Sequence, residues 1–168
     1  LPQLSDFITN KTDQFLVDMD YVIGGHPFKG QGTNDPDNGA HVNFDNSGNQ
    51  WPEGTVVTDF PAIYAVADGY VNNISTWEPV GKNYMYSMWL VFAQKDGTAV
   101  RFLMSIEPMT NPGDNSFYEP FIVVKEGQSI RKGDVLAYMY LEPNADVGPH
   151  IHFSVAPERE EQQAPAIF

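Results

Sequence analysis

The 168-residue sequence contains no cysteine, which excludes disulfide staples and thiolate metal sites together. Any transition-metal site must therefore be built from imidazole and carboxylate. Basic residues are also scarce: 9 Lys and Arg stand against 22 Asp and Glu, a formal net charge of −13. Nucleic-acid affinity comes largely from cationic neutralisation of phosphates, so this balance argues against a nucleic-acid partner. It equally disfavours adhesion to anionic membranes and leaves cationic or neutral ligands as the better candidates. No apolar run approaches the roughly 18 residues that a membrane-spanning helix needs, so no membrane span is expected. The opening Leu1-Pro2-Gln3-Leu4-Ser5-Asp6 lacks the basic-then-apolar order of a signal peptide. Gly-rich phosphate loops, serine elbows and cysteine nucleophiles are missing as well.

What is present is an ordinary globular composition, 42% apolar and 13% aromatic, at a length that suits one domain. Leu4, Phe7, Ile8, Phe15 and Leu16 fall near helical spacing behind Ser5, which predicts a short helix or a docked extension over 4–19. Residues 24–54 are rich in Gly, Asn, Asp and Pro and form a long aperiodic stretch, a kind that tends to be functional. From residue 55 the pattern becomes β. Val56-Val57, Ala62–Val66, Tyr70–Ile74, Tyr84–Ala93, Thr98–Ile106, Phe121–Val124, Asp134–Leu141 and Ile151–Val155 read as short strands. Asp68-Gly69 and Lys95-Asp96-Gly97 supply tight-turn signals. Strands at this spacing predict an all-β fold of mainly antiparallel sheets, a sandwich or barrel with long loops. The expected organisation is an N-terminal extension over 1–23, a β domain over 24–156 and a polar tail over 157–168.

The chemistry-bearing stretch is Gly148-Pro149-His150-Ile151-His152-Phe153-Ser154-Val155. In a strand, side chains alternate faces, so His150 and His152 share one face while Ile151 and Phe153 share the other. Two adjacent imidazoles begin a zinc site or decorate a solvated strand. His41 and Asp45, four residues apart, could reach the same ion; Asp45-Asn46-Ser47-Gly48 also reads as a plain turn.

Taken in order, His41-x3-Asp45 and then Gly148-Pro149-His150-Ile151-His152-Phe153 resemble the two motifs of the lysostaphin-type, or LytM-like, zinc endopeptidases. Between them, Pro61–Val71 is similar to that family's "P-V-Y-A-x-x-x-G-x-V" strand pair, and Val124–Leu136 to its "V-x-x-G-x-x-V-x-x-G-x-x-I" segment. His26-Pro27-Phe28 matches a His-Pro that often precedes the first motif. The resemblance spans about residues 24–156 and implies a secreted enzyme, extracellular or periplasmic. Its substrate would be peptide, the short cross-link peptides of bacterial peptidoglycan, cut by water that one Zn2+ ion activates. It implies His41, Asp45 and His152 as zinc ligands and His150 as the general base. His26 is the alternative first ligand, although its separation from Asp45 is unlike the family's tight spacing.

Three departures stand out. Asn43 replaces the family's glycine between the first His and the Asp, and an insertion, about Asn46 to Phe60, lies before the Pro61 strand, where it would wall a groove. Met104 occupies the position of a further catalytic His on the strand Val100–Ile106. That His normally stabilises an oxyanion, and losing one such donor costs about 10²–10³ in rate. Ser105, Arg101, His26, Tyr84 or Tyr86 are candidate substitutes, and Met104 is equally suited to core packing. The alternative is thus a zinc-binding module, weakly active or inactive, that recognises peptide or glycan. A β domain with an incidental His pair is the third reading. Trp51, Trp77, Tyr84, Tyr86 and Trp89 are candidates for a groove lining or for the core.

Overall fold

The computed structural model describes residues 16–26, 39–47, 51–93, 99–143 and 148–157. Its strands, in chain order, are β1 (Val22–His26), β2 (Ala40–Phe44), β3 (Ala62–Tyr64), β4 (Gly69–Val80), β5 (Asn83–Ala93), β6 (Ala99–Thr110), β7 (Ser129–Ile130), β8 (Val135–Tyr138) and β9 (His150–Pro157). Seven make one antiparallel sheet in the order β1-β2-β9-β6-β5-β4-β7, and β3 pairs with β8 in a smaller one. The all-β expectation holds.

Period-two burial explains the long central strands. On β6, Val100, Phe102, Met104 and Ile106 are buried and alternate with Arg101 and Leu103, which are not. From Ser105 to Glu107 both faces of the strand are covered, so the polar face becomes interior at that point. The small sheet closes the core through Ile63, Leu136 and Ala137. A buried hydroxyl ties it to β5: Tyr86 donates to the Tyr138 carbonyl and accepts from the Tyr140 amide at 3.1 Å. Burial first of all pushes the Tyr86 phenol well above its ordinary pKa.

Several expected elements differ. β4 and β5 form one long hairpin closed by Gly81-Lys82, with Val80 opposite Asn83 and Gly81 at a φ of 60°. A register slip between Ser75 and Glu78 accommodates Pro79 within β4. Val57–Asp59 is a 3-10 turn where Val56-Val57 read as a strand. The expected strand Phe121–Val124 reduces to a single bridge from Ile122 to Ala137 behind the 3-10 turn Glu119–Phe121. Pro120, fixed near helical φ at the start of that turn, favours it over a strand. Most of the proposed N-terminal helix lies outside the described residues. Its described end is not helical, because Val17 bridges to Ile63 and only Met19–Tyr21 makes a 3-10 turn. The Lys95-Asp96-Gly97 turn and the tail beyond Pro157 also lie outside the described residues.

Candidate functional site

Register builds the site. His26 pairs with His41, His41 with His152, and His152 with Ser105. Residues directly opposite in an antiparallel sheet project from the same face, so these four side chains form one row across β1, β2, β9 and β6. The adjacent row on that face is Asn43, His150 and Glu107. The opposite face carries Ala40, Phe153 and Met104 in one row and Val42, Ile151 and Ile106 in the next, which is the core side.

All four histidines of the chain therefore meet. The His41 ring lies 3.9 Å from His26, 4.4 Å from His150 and 4.9 Å from His152 between centroids. His41 Nε2 faces His152 Nδ1 at 3.1 Å. His150 is held at both nitrogens, with Nδ1 3.1 Å from the Gly148 carbonyl and Nε2 3.2 Å from Glu107 Oε2. Both partners are acceptors, so a neutral ring donates to one of them at a time and its tautomer decides which. Glu107 is buried, at 7% exposure, in the stretch of β6 where the polar face is covered.

Gly39 completes the seat. A Cβ built there would lie 1.9 Å from His152 Nε2, so only glycine lets the backbone close over that edge of the ring. The Nδ1 edge is consequently the one turned toward His41.

Asp45 sits just past β2, its amide donating to the Tyr21 carbonyl at 3.0 Å. Its Oδ1 accepts the Ser47 amide at 2.8 Å. The Ser47 hydroxyl first, and that amide second, hold the carboxyl below its ordinary pKa. Among the described residues, no group of three His, Cys, Asp or Glu side chains is placed to hold a metal ion. Two imidazole nitrogens at 3.1 Å fit neighbouring positions on one ion, since zinc–nitrogen bonds of about 2.0–2.1 Å at tetrahedral angles separate donors by about 3.3 Å. The fit thus extends to His41 and His152 and stops short of a three-ligand centre containing Asp45.

Met104 corrects an expectation. It is fully buried between Met88 and Phe153 on the core face and does not line the groove. Of the substitutes considered for the missing His, Ser105 stands in the histidine row, opposite His152, and His26 also lies within it. Tyr86 belongs to the core, Trp77 stacks on Tyr84 at 3.7 Å, and Arg101 lies over Trp89 at 5.2 Å. Glu107 and Gly39 were not singled out by sequence. Glu107 sits two residues from Ser105 on the same strand face, but only the β6–β9 register sets it against His150.

No family model and no curated protein matches this chain. Among solved structures it is similar to the NMR solution structure of lysostaphin, at 17% identity over 87% of this chain and 47% of that one, with a TM-score of 0.47. It is also similar to a zinc-containing peptidase from Vibrio cholerae, at 18% identity over 89% of this chain and 37% of that one, with a TM-score of 0.44. The chain spans less than half the length of either protein.

Proposed function

We propose that this chain is a zinc-dependent endopeptidase acting on short cross-link peptides of bacterial cell wall, outside the cytoplasm, with the histidine row as its site. The observation that carries the reading is the convergence of every histidine in the chain, His41 and His152 meeting from 111 positions apart. The order of sequence motifs supports it independently. In this reading His41 and His152 hold the ion, and Asp45 is the third ligand that the motif implies. Zinc, when bound, supplies Lewis acidity toward the scissile carbonyl. His150 carries the proton of the reaction, its ring fixed by the Gly148 carbonyl and Glu107. Ser105 offers a hydroxyl beside His152 where the family's further His is lost.

A second reading, a zinc-binding module that recognises peptide or glycan without efficient turnover, draws on Met104, whose side chain belongs to the core. Cleavage of a glycine-rich cross-bridge peptide, followed by mass spectrometry, separates the two. Turnover that a chelator abolishes and zinc restores supports the endopeptidase. Stoichiometric zinc without any cleavage of peptide or cell wall supports the module.

A further inference from the structure

Asparagine is a poor choice for the interior of a β-strand, yet β2 carries one between His41 and its last residue, Phe44. Asn43 is paired on both sides, with Gly24 of β1 and with His150 of β9. It is half-buried on the histidine face, away from the core side of the sheet, so packing does not account for it. A residue that breaks a local rule without a packing gain marks a working position more often than a neutral one.

The two flanks of Asn43 differ. On one side stands His150, its ring stacked on His41 at 4.4 Å between centroids and within hydrogen-bond distance of the Gly148 carbonyl and Glu107. Directly opposite residues in such a sheet have Cβ atoms about 4.5–5.5 Å apart, so the Asn43 amide reaches what the His150 ring reaches. On the other side is Gly24, where an added Cβ would meet nothing within 4 Å. The row thus runs from open space at Gly24, through Asn43 and His150, to the buried Glu107. Among the described residues, the Asn43 side chain makes no hydrogen bond.

A primary amide offers two N–H donors and has no proton to gain or lose near neutral pH. Peptide hydrolysis creates a need for such a donor. As the water oxygen bonds to the scissile carbonyl carbon, the C=O π pair moves onto the carbonyl oxygen. A donor aimed there binds the oxyanion more strongly than the carbonyl and so lowers the barrier. Ionised carboxylates such as Glu107 and Asp45 would repel that charge. Ser105 is 6% exposed at the inner end of the histidine row, whereas Asn43 faces the open side.

We propose that Asn43 is a catalytic residue, donating a hydrogen bond to the scissile carbonyl oxygen as it becomes an oxyanion. The proposal rests on the endopeptidase reading and deepens it. His150 takes a proton from the attacking water and passes it to the leaving nitrogen as the C–N bond breaks. Asn43 transfers nothing and only binds charge. A donor missing from β6, where Met104 faces the core, is thereby supplied from β2.

The test compares zinc-loaded wild type with Asn43→Ala, Asn43→Leu and Asn43→Gly on the glycine-rich cross-bridge peptide. Leu keeps the side chain's size without its donor, and Gly restores the residue of the family motif. Each should lower kcat about 10²–10³-fold, with KM and zinc affinity within about threefold of wild type. Asn43→Gln keeps the amide and should retain more turnover than Asn43→Leu. A second arm needs no turnover. A phosphinate analogue of the same peptide holds a P–O⁻ oxygen where the oxyanion forms. By calorimetric titration it should bind wild type at least about tenfold more tightly than Asn43→Ala or Asn43→Leu. Turnover within about threefold of wild type in Asn43→Ala and Asn43→Leu overturns the proposal, as does phosphinate affinity that is equal in wild type and variants or absent from both. Loss of zinc in all three variants also overturns it, by making Asn43 part of the metal seat. Wild-type protein that cleaves no peptide sinks the endopeptidase reading instead, and the phosphinate arm still decides whether Asn43 donates to that oxygen.

Discussion

His41 Nε2 and His152 Nδ1 face each other at 3.1 Å, although their residues stand at opposite ends of the described β domain. The pairing of β2 with β9 sets them directly opposite, and Gly39 closes over the far edge of the His152 ring. Two imidazoles so placed share either a proton or an ion. In the proposed reading, this contact of the metal-free protein becomes a pair of ligand positions when zinc binds.

Metal binding should follow this pair. Calorimetric titration with zinc is expected to show one site per chain, and His41→Ala or His152→Ala should each weaken it at least about 100-fold. Excess zinc should raise the melting temperature at neutral pH, fading below about pH 6 as protons compete for the imidazoles. Asp45→Asn tests the third ligand separately: affinity equal to wild type removes Asp45 from the set. Stoichiometric zinc retained in both histidine variants would remove the pair as well.

Much of the site was legible in the sequence and part was not, for physical reasons. Alternation along His150-Ile151-His152-Phe153 correctly separates the polar face from the core. The same rule could not place Met104, because a strand's face is set by its neighbour's register, and a one-residue shift reverses it. Opposite Phe153, Met104 faces inward and Ser105 takes the site position. Val56-Val57 has strand composition, yet Val57–Asp59 makes a 3-10 turn bounded by the Pro52–Thr55 turn and Pro61. Gly39 was invisible as a site residue because its role is the space it leaves for His152.

Gly39→Ala should act on the ring and spare the fold. The added methyl would overlap His152 Nε2, so the imidazole must swing away from His41. Zinc affinity should fall by about tenfold or more, a displaced-ligand effect, while far-UV circular dichroism stays that of wild type. Unchanged affinity would show that the loop holding Gly39 yields before the ring does.

Glu107 should behave as a positioning residue for His150. Its carboxylate reaches Nε2 at 3.2 Å and touches no predicted zinc ligand directly among the described contacts. Glu107→Gln should keep zinc and KM near wild type and lower kcat about 10–100-fold, and Glu107→Ala should lower it further. Loss of metal in both variants would instead make Glu107 a structural support of the whole row.

The Asp45 carboxyl gives a pH signature. Its pKa is depressed by Ser47, so the favourable interaction is present above the ordinary aspartate range and lost as pH falls through the lowered folded value. Ser47→Ala should therefore raise the Asp45 titration midpoint, read by 13C NMR of the side-chain carboxyl in metal-free protein. An unmoved midpoint would show that the hydroxyl is not the dominant partner.

Met104 carries the prediction most opposed to the family pattern. The resemblance alone suggests that restoring His at 104 would supply a catalytic donor and raise activity. The fold argues the reverse, because Met104 is fully buried on the core face, between Met88 and Phe153. Met104→His would place an imidazole among apolar side chains without a partner, at a cost of about 1–3 kcal/mol for the buried polar group, and would also lose the packing of the thioether. For comparison, Met104→Ala should cost about 2–5 kcal/mol through the cavity it leaves. Neither variant should gain turnover. Ser105→Ala removes the hydroxyl that does stand beside His152, so it should lower kcat while leaving the denaturation midpoint within about 1 kcal/mol of wild type. A Met104→His protein that is as stable as wild type and more active would show that β6 is shifted by one residue against β9, and with it every side-chain row of the proposed site.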